Sequence, residues 1–404
     1  MHLAVLFQHY TNPDCAATAR HYALLERWTR QHRVSLVASN AWAERRRTRR
    51  FPWVPEGVEL HGVDVPYRNG MGAGVRALAF GRFAAGALAR AARLDAVDVF
   101  LGVSTPLTTP TVAALVARAR GVPWVLQIED LWPDFPVQMG AVPGRPARAA
   151  LYGLERALYR DAAHVLTLSP GMTAHVAATT DPARVTTLYN GTDLPFVDAS
   201  ASADLAELRR AHGLGEGPVV LYAGTFGRAN HVPLLIAVAE RLAAREDGAT
   251  LVCVGDGFLR PDLEAAAARL PSLRLVAPCP RPDVFPLFRV AALSLVSFID
   301  LPVLGANSPA KLFDSLACGT PVVVTNDGWM RSLVDARGCG FYVPAADPDA
   351  PARIAALLDA PDRLAEAGRR ARSLVSDEPE MFDRRLQADI YEAIFERVVA
   401  ERRG

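Results

Sequence analysis

Short runs of β-branched and aliphatic residues alternate along this chain with longer stretches in which alanine, leucine and arginine recur at helical spacing. The apolar runs at 3–7, 34–37, 58–60, 97–101, 124–128, 165–168 and 185–188 predict strands, and 16–31, 75–93 and 149–160 predict helices between some of them. Continuous apolar strands separated by helices predict βα units and a parallel sheet covered on both faces. A glycine-rich, acidic stretch at 213–218 interrupts the series, which then resumes with strands at 219–223, 251–254, 273–276, 293–296, 322–324 and 341–343. The expected fold is α/β: two Rossmann-like, doubly wound parallel-sheet domains facing each other across a cleft. The expected boundaries are a first domain over 1–195, a hinge-like linker over 196–216 and a second domain over 217–376. A final helical stretch, 377–404, has no strand after it and is expected to pack back across the first domain. Ligands of such sheets bind beyond the carboxyl ends of the strands, where helix N-termini present free N–H groups.

Composition narrows the function classes. Hydrophobic residues make up 50% of the 404 and charged ones 22%, so the chain can bury two cores. Forty-four Lys and Arg against 43 Asp and Glu leave no basic excess for nucleic acid, and none is expected as a partner. Five cysteines without CxxC spacing suggest neither a disulfide framework nor a zinc site and fit a reducing cytoplasm. The first residues lack a basic segment before the apolar run and reach Gln8 early for a signal peptide, and no apolar run is long enough for a membrane span. A cytoplasmic protein is expected.

The most informative segment is Asn307-Ser308-Pro309-Ala310-Lys311-Leu312-Phe313-Asp314, running on to Gly319-Thr320-Pro321. Ser308 reads as an N-cap, Pro309 as the first helical residue and Gly319 as the stop, predicting a helix over 309–318. Lys311 and Asp314 are three apart and share a face near the positive helix end. A lysine beside free amides can hold a pyrophosphate, and a carboxylate one turn on can accept from ribose hydroxyls. The plainer alternative is a capped helix with a surface ion pair. The turn Gly224-Thr225-Phe226-Gly227-Arg228 follows a strand, and its glycines allow close backbone approach while Arg228 can reach a phosphate. Gly255, in a second turn after a strand, is similar. Glu129 and Asp130 end a predicted first-domain strand, where an acid pair is costly unless solvated, hydrogen-bonded or functional. His9 stands at the mouth of the first strand. The glycines at 70–74 lack the strand–turn–helix context of a dinucleotide loop, and Asp347-Pro348-Asp349 is a proline-broken loop. The cluster Arg45, Arg46, Arg47, Arg49, Arg50 reads as a solvated loop or as a docking surface for an anionic membrane.

Together with Ser104-Thr105-Pro106, Asp130-Leu131-Trp132-Pro133-Asp134, Leu168–Met172, Tyr189-Asn190-Gly191-Thr192-Asp193 and Gly338-Cys339-Gly340, these segments resemble the GT4 family of retaining glycosyltransferases of GT-B fold. The resemblance runs to about residue 376 and is nearest to the bacterial subgroup that assembles capsule, O-antigen or exopolysaccharide units. It implies a nucleotide-sugar donor, UDP preferred, on the second domain and a saccharide or lipid-linked acceptor on the first. It carries Lys311 over as a diphosphate contact and Asp314 as the ribose-binding acid. It also implies Gly224, Thr225, Phe226, Gly227, Gly255, Asn307 and Ser308 on the donor, and His9, Ser104 and Asn190 on the acceptor. Many relatives have two glutamates separated by seven residues. Here the second is Asp314, and the first falls on Ala306.

The expected chemistry is metal-independent transfer with retention, without cofactor. Lys311 and Arg228 would stabilise the departing diphosphate, while Glu129 and Asp130 orient sugar or acceptor hydroxyls. The work would take place in the cytoplasm, with association to the cytoplasmic face of the inner membrane through the 45–50 arginines and the 75–93 helix, where Leu78, Phe80 and Phe83 interrupt the basic residues. The rivals are a nucleotide-sugar 2-epimerase of the same two-sheet plan and a non-catalytic nucleotide-sugar-binding protein.

Overall fold

The computed structural model describes all 404 residues except 16, 18, 42–50, 66, 68–70 and 143, so Arg45, Arg46, Arg47, Arg49 and Arg50 lie outside the described residues. Seven strands form the first sheet: β1 His2–Phe7, β2 Arg33–Ser39, β3 Val58–Val63, β4 Val99–Ser104, β5 Trp124–Ile128, β6 His164–Thr167 and β7 Val185–Thr187. Six form the second: β8 Val219–Ala223, β9 Thr250–Val254, β10 Leu273–Val276, β11 Leu293–Val296, β12 Val322–Val324 and β13 Gly340–Tyr342. Every pairing among them is parallel, in the orders β3-β2-β1-β4-β5-β6-β7 and β10-β9-β8-β11-β12-β13. Both are doubly wound sheets whose order reverses beside the first strand, so the loops after β1 and β4 open one crevice and those after β8 and β11 another. The central strands are buried throughout, which is why they appear in the sequence as mostly apolar runs.

Some expectations shift. The helix expected at 16–31 is Arg20–Trp28, and the one at 149–160 is longer, Arg145–Asp161. The helix expected at 75–93 is Ala73–Ala91, and only part of its apolar content faces outward. Phe83 is 0% exposed and Phe80 is also buried, four and one residues after Ala79 on the core face, whereas Leu78 is 64% exposed. Val75 and Leu88, rather than the phenylalanines, accompany Leu78 on the surface.

The segment between the sheets is helical: Leu194–Ala199 and a single turn Ser200–Ser202, then Leu205–Ala211. It is held to the second domain by Arg289, whose Nε donates to Ser200 Oγ (2.6 Å) and Nη2 to the Val197 carbonyl (2.7 Å). At the C-terminus, helices Pro379–Phe382 and Arg384–Arg403 return to the first domain. There Trp28 Nε1 donates to the Ala388 carbonyl (3.0 Å), and the Trp28 ring packs against Tyr391 and Phe395, 5.4 Å from each centroid.

Candidate active site between the two sheets

On the second-domain side, β8 ends at Ala223 and the chain turns through Gly224 at φ +150°. The turn is fixed by Tyr222 Oη donating to the Thr225 carbonyl (2.7 Å), Gly224 N to Val254 O (2.9 Å) and Phe226 N to Asp256 O (2.9 Å). A Cβ on Gly255 would collide with the Gly224 carbonyl, so these two glycines let the turns after β8 and β9 cross at backbone contact. The Phe226 ring is buried in the second core and does not line the cleft, a correction to its place among donor contacts; what remains is its backbone. Thr225 and Arg228 are exposed, and the Arg228 guanidinium stacks 4.4 Å from the centroid of the exposed Phe258.

Lys311 comes from the first turn of helix Ala310–Ala317, whose cap is Pro309, one residue later than expected. Ser308 makes no capping bond. Its N–H donates to Asn307 Oδ1 (2.7 Å), and its buried Oγ has no hydrogen-bond partner. Lys311 reaches under the glycine turn, its Nζ 3.8 Å from the Tyr222 ring centroid and 5.9 Å from that of Phe298. A Cβ on Gly224 would sit 2.8 Å from this Nζ, so the glycine makes the space the amine occupies. Nζ is buried with no hydrogen-bond partner, and burial lowers its pKa to about 7, with the Cys253 thiol acting in the opposite direction.

The first domain meets this tip directly. Asn190 Nδ2 donates to the Ser308 carbonyl (2.9 Å), while its buried Oδ1 has no partner. Ser169 Oγ donates to the Ala306 carbonyl (2.5 Å). From the second domain, Trp329 Nε1 donates to the Asn307 carbonyl (2.7 Å). A narrow gap of about 10 Å³ between the domains is lined by Asp130, Phe135 and Met172 on one side and by Leu304 and Asn307 on the other.

Behind it, at the end of β5, Glu129 accepts from Gln127 Nε2 and lies 3.9 Å from Arg20 and 4.0 Å from His21. Burial, aided by Asp130, raises its pKa to about 7 against the pull of Arg20. Burial also raises Asp130, while Thr105 Oγ1, 3.5 Å away, pulls the other way. Glu129 and Asp130 follow directly on β5. His9 packs its ring 4.8 Å from Tyr67 and 6.3 Å from Phe80, and burial with Arg76 nearby lowers its pKa to about 4. Ser104 is 2% exposed, so its side chain is closed to an acceptor, contrary to expectation.

Asp314 also differs. It is 2% exposed and lies in a buried cluster of two acids and two arginines. Arg281 Nη1 donates to Asp314 Oδ2 (2.7 Å) and Nη2 to Oδ1, which also accepts from Thr192 Oγ1 (2.7 Å). Arg281 Nε donates to Asp193 Oδ2 (2.8 Å), and Arg384 Nη1 to Asp193 Oδ1. Burial alone would raise the Asp193 carboxyl, yet Arg384 and Arg281 hold it below the usual range. The Asp314 carboxylate is therefore turned to arginine and threonine, not left open to a ribose. Sequence reasoning passed over Arg281, Arg384 and the buried Arg20, since no local motif marks them.

Two facing Rossmann-like parallel sheets, of seven and six strands, are the architecture called GT-B. Solved structures agree in fold. Sucrose-phosphate synthase of Thermosynechococcus elongatus superposes with TM-score 0.72, covering 99% of this chain and 100% of its own at 15% identity. The Anabaena HepE protein in complex with UDP-glucose superposes with TM-score 0.67, covering 99% of each chain at 16% identity. Residues 16–191 match the glycosyl transferase 4-like domain and 217–359 match the glycosyl transferases group 1 domain. Among curated relatives, a D-inositol 3-phosphate glycosyltransferase of Catenulispora acidiphila is 29% identical over 332 residues, 76% of this chain and 74% of the relative.

Proposed function

We propose that the chain moves a sugar from a nucleotide-sugar donor, preferably UDP-linked, to a saccharide or lipid-linked saccharide acceptor. The anomeric configuration is retained, no metal takes part, and the product belongs to bacterial surface polysaccharide or glycoconjugate synthesis. One observation carries the reading: Lys311 Nζ, Ser308 Oγ and Asn190 Oδ1 are all buried and unpartnered on or against one helix start. Buried polar groups rarely lack partners, and an ammonium beside two neutral groups matches a diphosphate with its attached hydroxyls. As the glycosyl–phosphate bond breaks, negative charge grows on the leaving oxygen, and Lys311 and Arg228 stabilise it. The leaving phosphate takes the acceptor proton on the same face, while Glu129 and Asp130 orient hydroxyls. The HepE complex with UDP-glucose supports a UDP donor, and the inositol phosphate relative adds a phosphorylated cyclitol to the acceptors worth assaying.

A thermal-shift screen of UDP-, GDP- and dTDP-sugars, followed by product analysis with and without acceptors, tests this reading. A ligand at about 100 times its Kd stabilises the native state by about 2.7 kcal/mol. A shift with one UDP-sugar and a glycosylated product is expected. Epimerised sugar from donor alone would replace the reading with an isomerase, and binding without turnover across all acceptors would replace it with a binding protein.

Docking at an anionic membrane surface belongs to the same proposal. No helix among the described residues is long and apolar enough to cross a membrane. Helix Ala73–Ala91 presents Val75, Leu78 and Leu88 outward, carries Arg76, Arg82 and Arg90, and contains no acidic residue. Burying each apolar side chain is worth about 1.5–3 kcal/mol. Val75→Glu with Leu78→Glu is expected to cut cosedimentation with phosphatidylserine-containing vesicles by at least about tenfold. Equal sedimentation would remove this part of the reading.

A further inference from the structure

We infer that Asp314 and Arg281 form a positioning pair that sets the Lys311 amine from the joint between the domains, an inference that rests on the glycosyl-transfer reading above. The helix Ala310–Ala317 is barely two turns long, and no side chain caps its start, so contacts along its length must fix its orientation. A two-bond contact with Arg281 holds it at Asp314, one turn beyond Lys311. A carboxylate offers about four acceptor sites. Three are used by Arg281 Nη1, Arg281 Nη2 and Thr192 Oγ1, and little of the residue reaches solvent.

Arg281 is itself held from both domains. Its backbone N–H donates to the Pro13 carbonyl (2.9 Å), its Nε donates to Asp193 (2.8 Å), and its guanidinium lies 4.8 Å from the Phe285 ring centroid. Asp193 is closed from the far side by Arg384 of the returning C-terminal helix, whose Nε also donates to the Asn190 carbonyl (3.2 Å). Asn190 in turn donates to the Ser308 carbonyl immediately before the helix. First-domain segment 190–193, the start of helix Arg281–Val290 and the C-terminal crossing helix therefore converge on the element that carries Lys311. A planar guanidinium gripping a carboxylate through two parallel bonds fixes angle as well as distance, which a lysine in its place cannot do.

The test measures kcat, donor KM and the pH dependence of UDP binding for Arg281→Lys, Asp314→Asn and Asp314→Glu. Positioning predicts that all three lower kcat by about tenfold or more with donor KM changed less than about threefold, because what is lost is expressed in the transition state. It also predicts a readout that simple destabilisation would not move. The groups facing the amine are the Tyr222 ring, the Cys253 thiol and the Gly224 backbone. Loosening the helix lets water in, so the midpoint of the pH profile of UDP binding rises by about one unit. A ribose contact predicts the opposite pattern: Asp314→Asn raises KM with kcat unchanged, Asp314→Glu is silent and Arg281→Lys is silent. That pattern overturns the inference. If the single variants do not fold, the paired Arg281→Met/Asp314→Leu is measured, since apolar replacement of a whole buried pair is often tolerated. Folded protein with lowered kcat supports the pair, and wild-type kinetics rejects it. If wild type binds UDP but transfers no sugar, the transfer reading has failed. The pair is then judged on the pH midpoint of UDP binding alone, with an unshifted midpoint rejecting it.

Discussion

Lys311→Ala is expected to lower the turnover of sugar transfer by about 10²-fold, the scale of removing one preorganised donor from a developing oxyanion. The amine has no hydrogen-bond partner and lies against the Tyr222 ring in space opened by Gly224. Lys311→Met separates charge from packing. It should lose as much turnover as alanine while leaving the free protein as stable as wild type or more so, because a buried amine without a partner costs free energy. Such a gain in stability with a loss of activity is the usual mark of a functional site. Near-normal turnover in either variant would reject the assignment.

The same amine makes donor binding depend on pH. Its folded pKa of about 7 lies well below the ordinary lysine value of about 10.4. Below pH 7 the ammonium is present in the free protein and the affinity for a diphosphate is level. Above pH 7 a proton must be taken up on binding, so affinity falls by up to about tenfold per unit until the pKa of the complex is reached. Stability runs the other way. From about 7 to about 10.4 the unfolded chain holds more protons at this site than the folded one, so this group's penalty is relieved as pH rises. Calorimetry of UDP binding in buffers of different ionisation enthalpy should show the proton uptake at pH 8, and Lys311→Met should abolish it.

How much of this was legible follows from the range of each interaction. The strands were readable because a strand buried on both faces is dominated by apolar residues, as at β1, β4 and β5, where His2, Ser104 and Gln127 are the polar exceptions. The helix carrying Lys311 was readable from its Pro-x-Lys start and Gly319 stop, and it slipped by one residue because Asn307 Oδ1 takes the Ser308 N–H and Pro309 caps in extended conformation (ψ 134°). Phe80 and Phe83 were misplaced for a periodic reason: with Ala79, Ala87 and Ala91 they share the core-facing stripe. The ion cluster had no local signature at all. Asp193 and Arg384 are 191 positions apart, and Arg281 sits between two prolines with no sequence neighbour of opposite charge closer than Asp283. Only closure of the fold brings these charges together, and with them came the reassignment of Asp314.

The largest effect on stability is expected from Trp28→Ala. Trp28 is fully buried between the first domain and the returning helix Arg384–Arg403, with Tyr391 and Phe395 against its faces and edges. Truncating a buried tryptophan costs about 3–5 kcal/mol through lost transfer free energy and the cavity left behind. The Ala388 carbonyl also loses its indole donor. At roughly 2–4 °C per kcal/mol for domains of this size, the melting transition of the first domain should fall by about 10 °C. Because the chain has two sheet domains that need not melt together, hydrogen exchange is the sharper probe. Amides of 384–403 should lose protection first, whereas Leu386→Ala, at a partly exposed position on the same helix, should leave them protected. The consequence reaches the cleft, since this helix carries Tyr391, whose hydroxyl donates to Gln127 Oε1 (2.6 Å), and Gln127 in turn donates to Glu129. Loss of less than about 1 kcal/mol, with protection of 384–403 unchanged, would mean that the helix is held by its polar contacts and not by the aromatic seam: Arg20 donates to Tyr391 Oη (3.0 Å) and Arg384 to Asp193.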